Sequence, residues 1–244
     1  MSGASDYYFS ASILSGVGKL FFLKTPQAAG PGSGPLRLIG TMVQEGHGGF
    51  LGSKEYPVPQ NGHILGAVAK AVGKVLDLPE SDVVNEIGLA NLSTSLKLEK
   101  TASANGEAPF PGAPASLGIG VDYHKLRRVV LDFGPGARKL FIPRALLEEA
   151  FRTMAKTSTD WPTVFFDDDY MCVDQLLLVR KLTVTIESEA EFSASFEAKA
   201  AAANAQNLGV TYAQSSEKSY KLTLDGTEDY LFAVGAVEAD EFVK

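Results

Sequence analysis

From position 181 to position 200 the chain alternates strictly with period two. The even places hold Leu182, Val184, Ile186, Ser188, Ala190, Phe192, Ala194, Phe196, Ala198 and Ala200, all apolar or small. The odd places hold Lys181, Thr183, Thr185, Glu187, Glu189, Glu191, Ser193, Ser195, Glu197 and Lys199, all polar. Successive side chains of a strand point to opposite faces, so this run predicts one long strand with an apolar face and a wet one. Ordinary globular strands run about 3–10 residues, well short of this register. After a turn region at 204–207 the pattern resumes at Leu208, Val210 and Tyr212, and returns at Tyr220, Leu222 and Leu224.

An earlier stretch has the same design. Leu92, Thr94, Leu96 and Leu98 alternate with Ser93, Ser95, Lys97 and Glu99. A Pro/Gly/Ala-rich tip at 101–116 follows, then Leu117, Ile119, Val121 and Tyr123, and further on Val129, Leu131 and Phe133. The expected fold is therefore α+β: a twisted antiparallel sheet with two long β-hairpins, residues 89–133 and 180–224, and surrounding helices. Ile64, Leu65, Val68, Ala69, Val72, Val75 and Leu76 recur at helical spacing between Asn61 and Pro79. Pro143 is expected to open another helix at its first position, with Leu146, Leu147, Ala150, Phe151 and Met154 as the apolar stripe. Residues 7–24 read as a short amphipathic helix or a strand, with a Gly/Pro hinge after them at 28–35.

Two readings of the alternation compete. One is a half-buried antiparallel sheet with a core on one side and water on the other. The other is a membrane-spanning β-structure, whose strands need about 9–11 residues with one apolar and one polar face. Four such strands cannot close a barrel alone, so many copies would have to assemble to leave no edge unpaired in lipid. Nowhere are there about 18 consecutive apolar residues, so no transmembrane helix is expected.

Charge separates the possible partners. The chain of 244 residues has a formal net charge of −7. Its pI near 5.1 argues against nucleic acid, which demands clustered cations. The charge is uneven: residues 1–152 carry 15 basic and 13 acidic groups, and residues 153–244 carry 7 and 16. The first 74 residues hold six Lys or Arg against Asp6, Glu45 and Glu55. Within that positive segment Lys19 and Lys24 flank Leu20–Leu23, an arrangement suited to an anionic leaflet, where each cation contributes about 1 kcal/mol. His124 to Arg128 (HKLRR) and Arg138–Lys139 form further basic clusters, read as solvated edge charges.

Catalytic signatures are missing. No G-x-S-x-G elbow, P-loop, H-E-x-x-H or Cys-rich metal spacing occurs. His47, His63 and His124 sit in unrelated contexts, read as surface or capping residues. Asp167–Asp169 read as a charged turn before a strand at Tyr170, because consecutive acids do not alternate as calcium ligands do. Cys172 is the only cysteine, so no internal disulfide is possible, and its apolar context predicts burial rather than reactivity. No enzyme activity, metal or cofactor is expected. The N-terminus shows no signal-peptide pattern.

Three segments, in order, resemble the pore-forming N-terminal domain of the gasdermins. GIGVDYHKLRRVVLDFG (118–134) is similar to the strand ending the first gasdermin hairpin. FFDDDYMCVDQLLLVRKLTVTIE (165–187) resembles the acidic turn and strand leading into the second, and YKLTLDGTEDYLFAVGAVE (220–238) the closing strands. The likeness covers most of the chain after about residue 60 and is closest to the fungal regulator-of-cell-death members.

The resemblance implies a single gasdermin-like domain over residues 1–244, without the C-terminal inhibitory domain of animal members. It also lacks the lipidated N-terminal cysteine that bacterial members often carry. The implied activity is a cell-death effector that is cytoplasmic when inactive and sits in the plasma membrane when assembled. It binds acidic phospholipid, self-oligomerises and inserts two hairpins per subunit into a large β-barrel pore. The trigger would be an allelic partner protein or clipping of a short tail, residues 236–244. The first gasdermin helix carries lipid-contacting cations, for which Lys19 and Lys24 are the nearest matches. The membrane-inserting set on the two hairpins is Leu92, Leu96, Leu98, Leu117, Ile119, Val121, Leu182, Val184, Ile186, Phe192, Phe196, Val210 and Tyr212. The alternative is a soluble β-rich interaction module whose strands never leave water.

Overall fold

Two long strands form the spine. The computed structural model describes residues 7–12, 19–28, 36–48, 53–73, 85–89, 93–95, 97–98, 107–109, 120–122, 125–165, 170–205 and 210–242. Strand β12 (Tyr170–Ser188) pairs antiparallel with β14 (Ser219–Glu238) from Met171–Glu238 to Glu187–Ser219. β12 is rich in β-branched and aliphatic residues, and its two halves are buried differently. Leu176, Leu177, Leu178 and Val179 are buried in succession, as in a strand covered on both faces. Leu182, Val184 and Ile186 are buried in alternation, with Lys181, Thr183, Thr185 and Glu187 more exposed between them.

One edge of β12 is occupied in turn by β3 (Thr41–Gly48), β11 (Arg138–Phe141) and β10 (Leu126–Phe133). β3 continues to β4 (Ser53–His63). The far edge of β14 takes β13 (Val210–Ser216) at its start and β2 (Lys19–Ala28) at its end. β2 leads on to β1 (Tyr7–Ser12) and β7 (Lys97–Leu98). β5 (Asn85–Gly88) and β6 (Ser93–Ser95) flank β11 and β10, and β8 (Glu107–Pro109) pairs separately with β9 (Gly120–Asp122). The fold is α+β, built on a large antiparallel sheet.

Helices cover this sheet from both sides. Leu176 and Leu178 share a core with Ile64 of α1 (Ile64–Ala71) and with Leu147, Ala150, Phe151 and Met154 of α2 (Arg144–Thr157). Trp161 and Phe165 of α3 (Asp160–Phe165) pack on the same cluster. Leu177, Val179, Leu182, Val184 and Ile186 share the other core with Phe196 and Ala200 of α4 (Ala194–Ala205). Neighbouring residues of a strand face opposite ways, so α2 and α4 lie on opposite faces. α1 is capped by His63, whose Nδ1 accepts the Gly66 N–H at 3.2 Å; burial lowers the imidazole pKa, consistent with a neutral acceptor. Val75 and Leu76 lie outside the described residues.

Several expectations are corrected. Pro143 is the N-cap residue, with ψ of 132°, and the helix starts at Arg144. Leu146 is 41% exposed, one place off the buried stripe at 147, 150, 151 and 154. Lys19 and Lys24 lie on strand β2, the second of the two alternatives read for residues 7–24, and not on the helix that the resemblance implies. The aromatic run between them pairs with β14 (Phe22 with Ala233, Phe21 with Val234), and that edge satisfies its backbone. Leu98 pairs with Ala11 of β1 and not with the return arm of the first hairpin. The base of that hairpin forms as expected, Ser93–Ser95 against Asp132–Val130, while Leu92, Leu96, Leu117 and Ile119 lie outside the described residues. The second hairpin differs most. The strand stops at Ser188, Phe192 lies in the turn after it, and Phe196 is on α4. β14 lies between β12 and β13, so the tight hairpin turn falls at Glu217–Lys218 and not at 204–207.

A large bulge divides the sheet. Val179 opposes Tyr230 and Lys181 opposes Asp225, so residues 226–229 face Arg180 alone. Gly226 is required there, because a Cβ would run into the Tyr230 ring. Asp229 closes the bulge: its carboxylate accepts from Arg180 Nε and from Arg138 Nη2, both at 2.6 Å, and Arg138 Nη1 reaches Glu86 at 3.0 Å. Four strands, β5, β11, β12 and β14, are thereby tied at one point. Burial of Asp229 would raise its pKa, but Arg180 and Arg138 outweigh it and hold the carboxyl below its ordinary value. A depressed carboxyl stabilises the fold above its unfolded pKa, and that contribution is lost as pH falls through the folded value. Asp229→Ala is expected to lower stability by about 2 kcal/mol at pH 7, the arginines being partly solvated. In urea titrations that deficit should shrink below about pH 4.

Candidate functional site

The twenty-residue alternation converges on one place, the half-sheet made by β10, the second half of β12, the first half of β14, and β13. Its inner face is apolar: Val129, Leu131 and Phe133 from β10, Leu182, Val184 and Ile186 from β12, Tyr220, Leu222 and Leu224 from β14, and Tyr212 from β13. Its outer face carries Asp132, Lys181, Thr183, Thr223 and Asp225, which line an open groove together with Ser93, Phe133, Gly134, Leu182 and Leu224.

The inner face is covered by α4 and the turn before it. Ser193 starts the helix by accepting the Phe196 N–H on its Oγ at 3.3 Å. The ring of Phe192 lies 4.8 Å from Phe196, and Phe192 and Phe196 meet Tyr220 edge-on at 4.8 and 4.7 Å. Ala200, one turn further, is also buried. The exposed remainder of α4 includes Ala194, Ser195, Glu197, Ala198, Ala201 and Ala202. At its far end Asn204 bonds the backbone of Tyr212. The cover is thus anchored by two phenylalanines, one alanine and one carboxamide.

The sequence of the cover satisfies two conformations. Phe192, Phe196 and Ala200 recur every fourth residue, which is one face of a helix and also one face of a strand. Alanine, lysine and glutamate then favour the helix. Neither a family model nor a curated protein matches this chain. The reading of the site therefore rests on its own geometry.

The expected membrane residues divide into three groups. Leu182, Val184, Ile186, Phe196 and Tyr212 are brought together on the covered face, Phe192 packs at its margin, and Val210 stands opposite Leu224. Val121 lies on β9 opposite Ala108, and Leu98 on β7 opposite Ala11, and neither strand pairs with a strand of this half-sheet. Leu92, Leu96, Leu117 and Ile119 fall outside the described residues. Lys19 stands opposite Ala236, in the other half of the sheet. Ser193, Asn204 and the Asp229 cluster were not singled out from the sequence. Asn204 falls in a stretch whose sequence reads as turn, and the partners of Asp229 are 49 and 91 positions away.

Cys172 is fully buried, which raises its thiol pKa, as the Asp174 charge also does. Among the described residues no three His, Cys, Asp or Glu side chains gather as metal ligands, and no helix is long and apolar enough to cross a membrane.

Proposed function

We propose that this chain is a gasdermin-like pore-forming cell-death effector, with the half-sheet under α4 as the part that converts. In the resting form α4 shields an apolar strand face. On an acidic leaflet α4 leaves that face and continues β12 as strand, and the extended hairpins of many copies pair into a barrel with the apolar face toward lipid. The observation that carries this reading is the single alternation through 181–200, folded half as strand and half as helix, with its even residues suited to both. The odd positions would line the lumen and, with Glu187, Glu189, Glu191 and Glu197, make it acidic. Contact with the leaflet is assigned to the positive N-terminal segment with Lys19 and Lys24, and release to an allelic partner or to clipping of the tail. The protein would be cytoplasmic at rest and at the plasma membrane when assembled.

One observation favours the soluble interaction module instead. Leu182, Val184 and Ile186 already have complete cover, each no more than 2% exposed, and a half-buried sheet requires nothing further. Dye-loaded vesicles separate the two readings. Leakage from acidic but not neutral vesicles, weakened by charge reversal at Lys19 and Lys24, is expected for the pore. Absence of leakage with every lipid, partner and tail truncation would leave the module.

A further inference from the structure

Three short elements meet around residues 62–65, on the α2 side of the sheet. The 3-10 turn Leu36–Leu38 is tied to α1 through Gly40, whose carbonyl accepts the Ile64 N–H at 2.8 Å and whose missing Cβ leaves room for His63 and Leu65. α3 reaches the same place, since a Cβ on Gly62 would meet the Phe165 ring. Leu36, Leu38, Leu65 and Val68 are only half-buried on the core beneath, and Val72, at the end of α1, is 47% exposed. Leu65, Val68 and Val72 share one side of the helix, by their spacing of three and seven. Next to Gly62 begins a row of half-buried rings, Phe165 lying 4.5 Å from Trp161 and 5.4 Å from Tyr170.

This ridge is basic on an acidic protein. The turn and α1 hold Arg37 and Lys70 and no acid. Both cations are exposed, and neither has an ion-pair partner among the described residues. On the neighbouring elements Glu148 is engaged by Arg144 and Arg152, and Glu241 by Arg144. Glu149 of α2 is exposed, as is Asp160, at the opposite end of α3 from Phe165, and Asp167–Asp169 lie outside the described residues. We propose that the ridge docks the resting protein on an acidic phospholipid leaflet, with Arg37 and Lys70 among the headgroups and Val72 and Trp161 at the acyl boundary. Free cations beside apolar helix surface, with tryptophan and tyrosine at the margin, are what that boundary takes up. An acidic peptide would meet the same cations, but it offers no apolar layer for Leu65, Val72 and Trp161 to enter. The inference rests on the pore reading and adds a first contact to it. Lys19 and Lys24 lie on β2, a strand paired on both sides, whereas the ridge stands outside the sheet. It also belongs to the core that α4 does not cover, so docking leaves the converting half-sheet free.

Trp161 is the only tryptophan of the chain, so its fluorescence reports on this surface alone. Wild type titrated with phosphatidylcholine vesicles, with and without phosphatidylserine, is expected to shift its emission to the blue only where phosphatidylserine is present. Brominated acyl chains should then quench it. Arg37→Gln combined with Lys70→Gln should weaken binding about thirtyfold, with two headgroup cations lost and thermal melts unchanged. Equal binding by that variant would overturn the proposal, as would absence of binding by wild type. Cosedimentation with the emission unshifted would also overturn it, by moving contact to another surface such as Lys19 and Lys24, and would leave the pore reading standing. The same blue shift on polyglutamate would make the ridge a site for acidic protein instead. Phosphatidylserine-dependent shift and quenching without dye release would keep the ridge and remove the pore.

Discussion

Ala198→Asp is expected to abolish vesicle leakage, and Ser195→Asp to leave it close to wild type. Both positions are exposed on α4 in the resting form, so neither change disturbs a core. Aspartate within the helix costs about 0.5 kcal/mol at position 198, and near the N-terminus at 195 the helix dipole offsets part of that. The distinction arises only if α4 becomes strand. Position 198 then shares parity with Leu182, Val184 and Ile186 and faces lipid, whereas position 195 shares parity with Thr183 and Thr185 and faces the lumen. A carboxylate on a lipid face costs about 2 kcal/mol at depth, nearly thirtyfold, in every subunit of the ring. Phe192→Asp cannot make this distinction, because Phe192 already packs on Phe196 and Tyr220 at rest. Equal leakage by the two variants, with unchanged thermal melts, would show that α4 does not enter the membrane as a strand.

The same parity explains how far the sequence could be read. Residues 182–186 are legible because only a strand puts Leu182, Val184 and Ile186 on one face, and there the structure agrees. Beyond Ser188 the pattern is degenerate: a spacing of four belongs to both periods, and the choice falls to propensity and to the Ser193 cap. Pairing order was not legible. Nothing local shows that β14 comes between β12 and β13, since that order depends on which strand edges find partners across the whole chain. Long-range polar contacts were equally invisible, because Arg138, Arg180 and Asp229 are ordinary surface-type residues until the bulge brings them together. Asp174 does carry a local signal, being the one acid between Tyr170 and Val179.

Asp174→Asn is expected to stabilise the protein at pH 8 and to have little effect below about pH 4. Asp174 is the extra residue of a second bulge, since Val173 opposes Ala236 and Gln175 opposes Gly235. Its carbonyl is used, accepting the Ile142 N–H at 2.9 Å. Its carboxyl is poorly provided for. Oδ2 accepts from Gln175 Nε2 at 3.2 Å, and the buried Oδ1 has no hydrogen-bond partner among the described residues. Burial drives the pKa up to about 7, and the Gln175 and backbone hydrogen bonds, with Lys139 and Arg144 farther off, recover only part of the shift. Between roughly pH 4 and 7 the native state holds a proton that the unfolded chain has lost, so stability falls as pH rises through that window and levels off above it. A carboxyl raised that far corresponds to roughly 4 kcal/mol at most, and partial solvation at a bulge brings the expected gain to about 2–3 kcal/mol. Asparagine keeps the acceptor for Gln175 and removes the charge. Urea titrations of both proteins at pH 4, 6 and 8 should give curves that separate as pH rises. A constant offset across the three would mean that the carboxyl is already ionised at little cost. The position matters for assembly as well: Asp174 lies in the half of the sheet under α2, so relieving it should leave the α4 cover, and hence leakage, unaltered.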